Sequence, residues 1–515
     1  MILKPLFTLI IMLVSSTLVA SSIDSAINEL LTPVSHFIAG IVFYSISISS
    51  VDIPLIVIWL VSAGSIFTFY LGFINIRGFS HSIRLVKGHY EDPDDVGEIT
   101  HFQTLSTALS ATVGLGNIAG VAIAISIGGP GATFWMILAG VVGMSSKFLE
   151  CALGVKYRVI NHDGTVSGGP MYYLSCGLKE LGYEKLGRVL AVFFAICCIG
   201  GSFGGGNMFQ ANQAYQQVVS VTGGDISYFA DKGWLFGLIL SFLVACVIIG
   251  GLNSIAKVTS KIVPFMGIVY CLSCLVVITM NYSQIPSAFI AIFQGAFYPE
   301  GIAGGFLGVL IQGFRRAAFS NEAGIGSSSI AHSAATTKEP ISEGFVALLE
   351  PFIDTIVICT MTALVIVITG TYKNELGLSG VQLTSSAFES AFSWFPYVLA
   401  ISVLLFAFST MISWSYYGAK AWSYLFGYSI KSDVSYKLFF CFFIVIGCSM
   451  SLDPIIDISD AMIFAMSFAN IIGLFLLAPR IRWDLKDYMN RLKGGEIKDF
   501  QEKRTARLRS TMDFD

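Results

Sequence analysis

Two stretches of an otherwise apolar chain carry residues able to do chemistry. One is TVGLGNIAG at residues 112–120, and the other is SNEAGIGSSSIAHSAA at residues 320–335. Glycine in a helix interior costs about 1 kcal/mol relative to alanine. A backbone group freed in lipid costs several kcal/mol if nothing satisfies it. A greasy chain that breaks its own helices therefore needs something to fill the breaks. Unwinding at Gly114, Leu115 and Gly116, and near Ala323 and Gly324, would expose amide N–H groups at half-helix N-termini, where a carboxylate is held well. The carbonyls freed on the other side of each break are hard oxygen ligands for a cation. The implied chemistry is a non-covalent grip on an anionic or zwitterionic solute and a cation, with Thr112 and Asn117 beside the first break. Glycines also serve close packing of membrane helices. Two such segments about 200 residues apart, each with an Asn or Glu, favour a ligand site instead.

Other polar side chains in apolar surroundings point the same way. Asn207 and Gln210 are three apart and would share a helix face. Ser409, Thr410 and Ser413 follow one another in a later run, where hydroxyls could complete a sodium shell or bond back to their own helix. Trp414 could wall a pocket. Glu322 lies seven residues beyond Arg315, two turns along one face, which predicts an ion pair between them. Glu350 and Asp354 are four apart and could serve proton movement, but the expectation is that they sit near the cytosolic end of their helix, in water. The six histidines form no metal-ligand pattern, and the ten cysteines read as small packing residues, the Cys271–Cys274 pair included.

The elements that must position these groups follow from composition. Of 515 residues, 55% are hydrophobic and 12% are charged, which places the chain among polytopic membrane proteins. A net charge of −3 gives no basis for nucleic-acid binding. The fold class expected is an all-α membrane protein with eleven transmembrane helices near 52–76, 102–127, 132–157, 187–218, 233–251, 258–280, 303–335, 346–370, 393–427, 434–452 and 458–478. Residues 1–21 read as a signal peptide and 22–51 as an extracytoplasmic amphipathic segment. With the mature N-terminus outside and the C-terminus cytoplasmic, 27 of the 30 Lys and Arg residues fall on the inside. One span more or fewer would scramble that asymmetry. The charged tail, 480–515, is then cytosolic.

After residues 52–101, a helix and a cytoplasmic loop, each Gly-broken span opens a block of five, over 102–302 and 303–479. An odd number of spans per block turns the second block upside down relative to the first, the arrangement of an inverted-repeat transporter with its site at the repeat interface.

The stretch TALSATVGLGNIAGVAIAISIGGPGATFWM, with SGGPMYY, GNMFQANQ and SNEAGIGSSSIAHSAA in that order, resembles the alanine or glycine:cation symporter family over roughly residues 50–480. The resemblance implies a LeuT-like five-plus-five inverted repeat preceded by one additional helix. It implies uptake across the cell membrane (plasma or inner) of a small neutral amino acid, chiefly alanine or glycine, with Na⁺ or sometimes H⁺ as the coupling ion and no other cofactor. TVGLGN is also similar to the first broken helix of neurotransmitter:sodium symporters. That similarity implies the Leu115 and Gly116 amides for the substrate carboxylate. It also implies sodium ligands from the Ser110 and Val113 carbonyls and the Ser409 and Thr410 hydroxyls. Asn207, Gln210 and Trp414 match symporter positions that line the pocket.

Two other classes have a foothold in the residues. TVGLG echoes a potassium-channel filter, but a filter needs four copies around an axis and this chain has one. Ser167 in TVSGG invites an intramembrane hydrolase, but no convincing histidine partner accompanies it and no H-E-x-x-H metal motif occurs.

Overall fold

The computed structural model describes residues 23–48, 51–92, 95–162, 164–298, 305–373 and 377–497. The expected signal peptide and the last part of the tail, 498–515, lie outside them. Amphipathic α1 (Ile23–Val42) comes first and packs along the last long helix. A hairpin follows, β1 (Ser45–Ile48) against β2 (Val51–Pro54), antiparallel with Ile46 opposite Ile53. The chain then enters α2 (Leu55–Tyr70) and, after a short turn, α3 (Phe79–Val86).

The first glycine-rich stretch forms α4 (His101–Thr112), a π turn over Gly116–Gly120 and α5 (Val121–Gly128). The two arms are bent by 51° at the break. A capping box starts α4, with Thr100 Oγ1 accepting from the Gln103 N–H and the Gln103 side chain accepting in return. Helix α6 (Ala132–Lys156) is buried along most of its length, and a two-residue hairpin, β3 (Val159–Ile160) and β4 (Val166–Ser167), follows it. Then come α7 (Glu184–Phe203), a π turn over Gly204–Met208 that continues into α8 (Phe209–Val221), α9 (Gly233–Ile248), α10 (Gly251–Met280) and α11 (Ile285–Phe297).

The second glycine-rich stretch opens with α12 (Gly305–Asn321), breaks, and resumes as the short α13 (Ser329–His332). A continuous run over Pro340–Thr369 starts as α14 (Pro340–Ala347), passes through a π segment at Phe352–Cys359 and ends as α15 (Thr360–Thr369). The rest is α16 (Val381–Glu389), α17 (Phe395–Phe426), α18 (Ile430–Ser449) and the 42-residue α19 (Leu452–Lys493).

Among the described residues, seven helices are long and apolar enough to cross a membrane, and the bent pair around the first break makes an eighth. The spans read at 52–76 and 233–251 are 16-residue helices, while the one read at 303–335 divides into α12 and α13. The faces that meet inside are lined by Leu, Ile, Phe and Ala, and they enclose an unusual number of polar groups around the two breaks.

Candidate functional site

The first break begins at Val113, whose ψ of 82° takes the chain out of the helix. The groups it frees are met by side chains. The Gly114 N–H donates to Asn117 Oδ1 at 2.9 Å, and the Leu115 N–H donates to Gln210 Oε1, also at 2.9 Å. Gly114 sits so tightly that a Cβ there would lie 2.4 Å from Thr410 Oγ1 and 3.0 Å from Gln210 Oε1. Thr112 is buried and bonds back to the Ala108 carbonyl of its own helix at 3.2 Å.

At the second break α12 stops at Asn321, and Glu322 adopts a left-handed conformation with φ +57°. A non-glycine residue held there stores strain of order 1–3 kcal/mol, which surrounding contacts must hold in place. Those contacts are specific. The Trp414 indole donates to Glu322 Oε1 at 3.0 Å, and Ser327 donates to Oε2. The Ala323 N–H is capped by Asn321 Oδ1 at 2.9 Å, and the Gly324 carbonyl accepts from Asn470 at 2.9 Å. Gly324 is required at φ +85°, where a Cβ would press to 2.7 Å of Leu60.

A carboxylate that the sequence reading placed in water joins the two breaks. Asp354 is fully buried, and so is Glu350. The Asn117 amide donates to Asp354 Oδ1 at 2.6 Å and to its carbonyl at 3.0 Å. Ser320 and Thr355 donate to Oδ2 at 2.9 Å and 2.7 Å. Thr355 in turn accepts from Asn321 at 2.9 Å. All these donors are neutral. The signal in the sequence was the carboxylate itself, since an acid inside an apolar run is a functional candidate by default.

Of the residues expected to hold sodium, Ser110 and Thr410 face each other. Thr410 donates to the Ser110 carbonyl at 3.0 Å, and the Ser110 hydroxyl donates to the Ser409 carbonyl at 2.6 Å. The Ser409 hydroxyl turns back to the Phe406 carbonyl at 3.0 Å, and Val113 is buried at the end of α4. Carbonyl and hydroxyl oxygens at this junction are the hard donors sodium takes. Trp414 is packed so closely that a Cβ on Gly206 would sit 2.2 Å from its Cγ. The Cα of Gly116 abuts Ser320, where a Cβ would be 3.3 Å from the Ser320 Cα.

Gln210 reaches the first break, but Asn207 does not. Asn207 donates instead to the Phe440 carbonyl of α18 at 2.7 Å. The shared face expected at three-residue spacing assumed regular α geometry, and the π turn over Gly204–Met208 shifts the phase. The Arg315–Glu322 pair also fails to form. Glu322 lies beyond the helix end, and Arg315 pairs with Asp460 at 2.8 Å.

A charged cluster adjoins the second break, unforeseen from sequence. His332 lies between two carboxylates, with Nδ1 against Glu343 and Nε2 2.5 Å from Glu350. His101 bonds the other oxygen of Glu343. The Lys147 ammonium donates to Glu350 at 3.1 Å and to Ser328. Ligand atoms of Cys151, His332 and Glu350 lie within 4.8 Å of one another, but the Lys147 ammonium in contact with Glu350 opposes a metal ion there.

Residues 36–502 match the family model of the sodium:alanine symporter family. The chain is 38% identical over 449 residues to the sodium/alanine symporter AgcS of Methanococcus maripaludis, covering 87% of this chain and 96% of that one. It is 35% identical over 444 residues to the probable sodium/glutamine symporter GlnT of Bacillus subtilis, covering 86% and 89%. In three dimensions it is similar to the LeuT-fold structure of MhsT in complex with L-phenylalanine, with a TM-score of 0.54 at 13% identity over 74% of this chain and 89% of that one. That likeness shows the fold. These relatives are transporters rather than enzymes, and the chain is a multi-pass membrane protein that belongs to the sodium:alanine symporter family.

Proposed function

We propose that this protein is a symporter that carries a small neutral amino acid, such as alanine or glycine, into the cell with Na⁺ as the coupling ion. The observation that carries the reading is the meeting of the two breaks. Gln210, Asn117, Asp354 and Thr410 converge on loosened backbone of residues 113–117, with Ser320 and Glu322 alongside. In this reading the amides of Leu115 and Gly116 take the substrate carboxylate once Gln210 lets go, with Thr112, Gly114, Ala323 and Gly324 allowing close approach and Trp414 closing the pocket. Sodium sits among the Ser110 and Val113 carbonyls and the Ser409 and Thr410 hydroxyls. The eleven spans form two inverted blocks, 102–302 and 303–479, behind one leading helix. The mature N-terminus is outside and the C-terminus cytoplasmic, in the plasma or inner membrane. One block rocks against the other to expose the site to each side in turn. The membrane potential supplies about 2.3 kcal/mol per charge per 100 mV. At about 1.4 kcal/mol per decade, one Na⁺ then sustains roughly 50-fold accumulation of a zwitterion.

Proton coupling is the second reading, and a specific observation favours it: the buried Asp354 carboxylate is met by neutral donors and can carry a proton in place of a cation. Uptake of labelled alanine into proteoliposomes, with sodium and proton gradients imposed separately, decides between them. Uptake driven by inward sodium alone is expected. Uptake driven only by a proton gradient moves the coupling to the second reading, and no uptake of alanine or glycine under either gradient overturns the proposal.

A further inference from the structure

The two breaks are packed against different materials. At the first, Gly114 is met by Thr410 and Gln210, polar groups of the site itself. At the second stands an apolar side chain from α2, the helix that precedes both glycine-rich stretches. Leu60 comes so near that a Cβ on Gly324 would lie 2.7 Å from its Cδ2, whereas Ile471 of α19, the next nearest, would be at 3.6 Å. Helix α6 presses on the preceding residue: a Cβ on Gly143 would lie 2.8 Å from the Cβ of Ala323. From α17 the Trp414 indole holds Glu322 at 3.0 Å. The loosened backbone of residues 322–324 is therefore gripped between Trp414 on one side and the pair α2 and α6 on the other.

The place of Leu60 is itself fixed. About two turns further along α2, Thr68 Oγ1 lies 3.0 Å from Ser145 Oγ and 3.2 Å from the Val142 carbonyl, and Asn75 donates to the Val141 carbonyl at 2.9 Å. Gly64 lets the two helices touch, since a Cβ there would meet Val142 at 3.4 Å. These contacts set the depth of α2 against α6, and with it the height at which Leu60 meets Gly324. A cavity of about 30 Å³ remains beside the break, with Leu60, Gly64, Gly143, Asn321 and Ala323 in its wall. Protein interiors are close-packed and pass displacement on. The break can retreat into this cavity, and Leu60 stands in the way.

We propose that Leu60 is a specificity-determining residue that acts without touching the substrate. It is the backstop of the second break. It sets how far the backbone of Ala323 and Gly324 stands into the pocket, and so how large a side chain the carried amino acid can have. The inference rests on the proposed amino-acid cargo. One methylene more or less in an apolar pocket is worth about 10- to 200-fold in discrimination. A small advance or retreat of this backbone is therefore enough to separate glycine, alanine and larger amino acids. A shorter side chain at position 60 leaves space that the surroundings fill in part, and the break moves toward α2. A methyl group added at position 143 pushes Ala323 the opposite way.

The experiment compares kcat/KM for uptake of labelled glycine, alanine and valine by the full-length protein in proteoliposomes, under the gradient that drives the wild type. Leu60→Ala is expected to raise the valine-to-alanine ratio about tenfold or more. Gly143→Ala is expected to raise the glycine-to-alanine ratio about threefold or more. Leu60→Met, of similar volume, keeps both ratios within about twofold of wild type. General loosening of the fold does not give shifts of opposite sign from two neighbouring helices. A uniform loss for all three amino acids overturns the proposal, as do unchanged ratios in either alanine variant or a shift toward valine in Gly143→Ala. Should Leu60→Ala fail to fold, Leu60→Val takes its place with an expected rise of about threefold, and an unchanged ratio there overturns the proposal equally. If the wild-type protein takes up none of the three amino acids, the proposed function fails and the backstop with it; unchanged ratios in active variants sink only the backstop.

Discussion

Two buried polar regions lie next to each other along the second broken segment, and they are built from opposite materials. Around Asp354 the bonds come from neutral amides and hydroxyls, those of Asn117, Ser320 and Thr355. Around His332 they join charged or chargeable groups: Lys147, Glu350, Glu343 and His101. A hydrogen bond from a neutral donor to a carboxylate contributes about 1.5–3 kcal/mol net, and losing such a donor leaves no unpaired counter-charge behind. A buried charge stripped of its partner costs about 3–5 kcal/mol. The first region is therefore suited to swapping its own side chains for ligands, and the second to staying as it is. The second also ties α4, α6, α13 and the run Pro340–Thr369 together, the elements that flank both breaks. A moving part needs such a brace if it is to move as one body.

The sharpest way to break this contrast is to remove charge from the brace. Glu350→Gln leaves the buried Lys147 ammonium without its carboxylate, and about 3–5 kcal/mol of stability should go with it. Thermal unfolding of the purified protein in detergent measures the loss. A melting temperature equal to wild type would mean that the cluster is not bracing anything. The double variant Lys147→Met with Glu350→Gln should recover part of the loss, since it no longer leaves an unpaired ammonium.

The neutral region should respond in function rather than in folding. Asn117→Ala deletes the cap on Gly114 and two bonds to Asp354. Alanine binding should weaken about 10- to 100-fold, corresponding to roughly 1.4–2.8 kcal/mol, with a far smaller change in melting temperature than Glu350→Gln gives. Isothermal titration beside a melting curve checks both halves. Thr410→Ala removes one hydroxyl facing the Ser110 carbonyl and should raise the sodium concentration needed for half-maximal uptake several-fold. An unchanged sodium requirement would take the ion away from this junction.

How far each region was legible in the sequence follows from how its residues are spaced. The breaks were visible because glycines and an asparagine interrupt apolar runs, a local pattern. Gln210 and Thr410 were found with them. The brace was not visible: Lys147 and Glu350 are 203 residues apart, and His101 and Glu343 are 242 apart. No periodicity links such partners. Local geometry misled in two further places. The π turn at Gly204–Met208 rotates Asn207 away from the face of Gln210, and the left-handed Glu322 ends the helix that was to carry it opposite Arg315. Both errors came from extending regular α geometry through a local irregularity.

The smallest expected effect lies at the C-terminal end of α19, which meets α3. His81 Nε2 is 2.8 Å from the Tyr488 hydroxyl, with its ring against Phe345 and Tyr90 and with Arg84 nearby. Burial, and then the Arg84 charge, lower the pKa of His81 from 6.5 to about 4. At neutral pH the imidazole is uncharged and can accept from Tyr488. As pH falls below 6.5 the unfolded chain takes up the proton first, so this contribution to stability is whole above 6.5 and fades toward pH 4. The wild-type protein should melt at a lower temperature at pH 5 than at pH 7. A His81→Gln variant should show a smaller difference between the two, because glutamine has no proton to gain. An identical pH dependence in both would place the titrating group elsewhere.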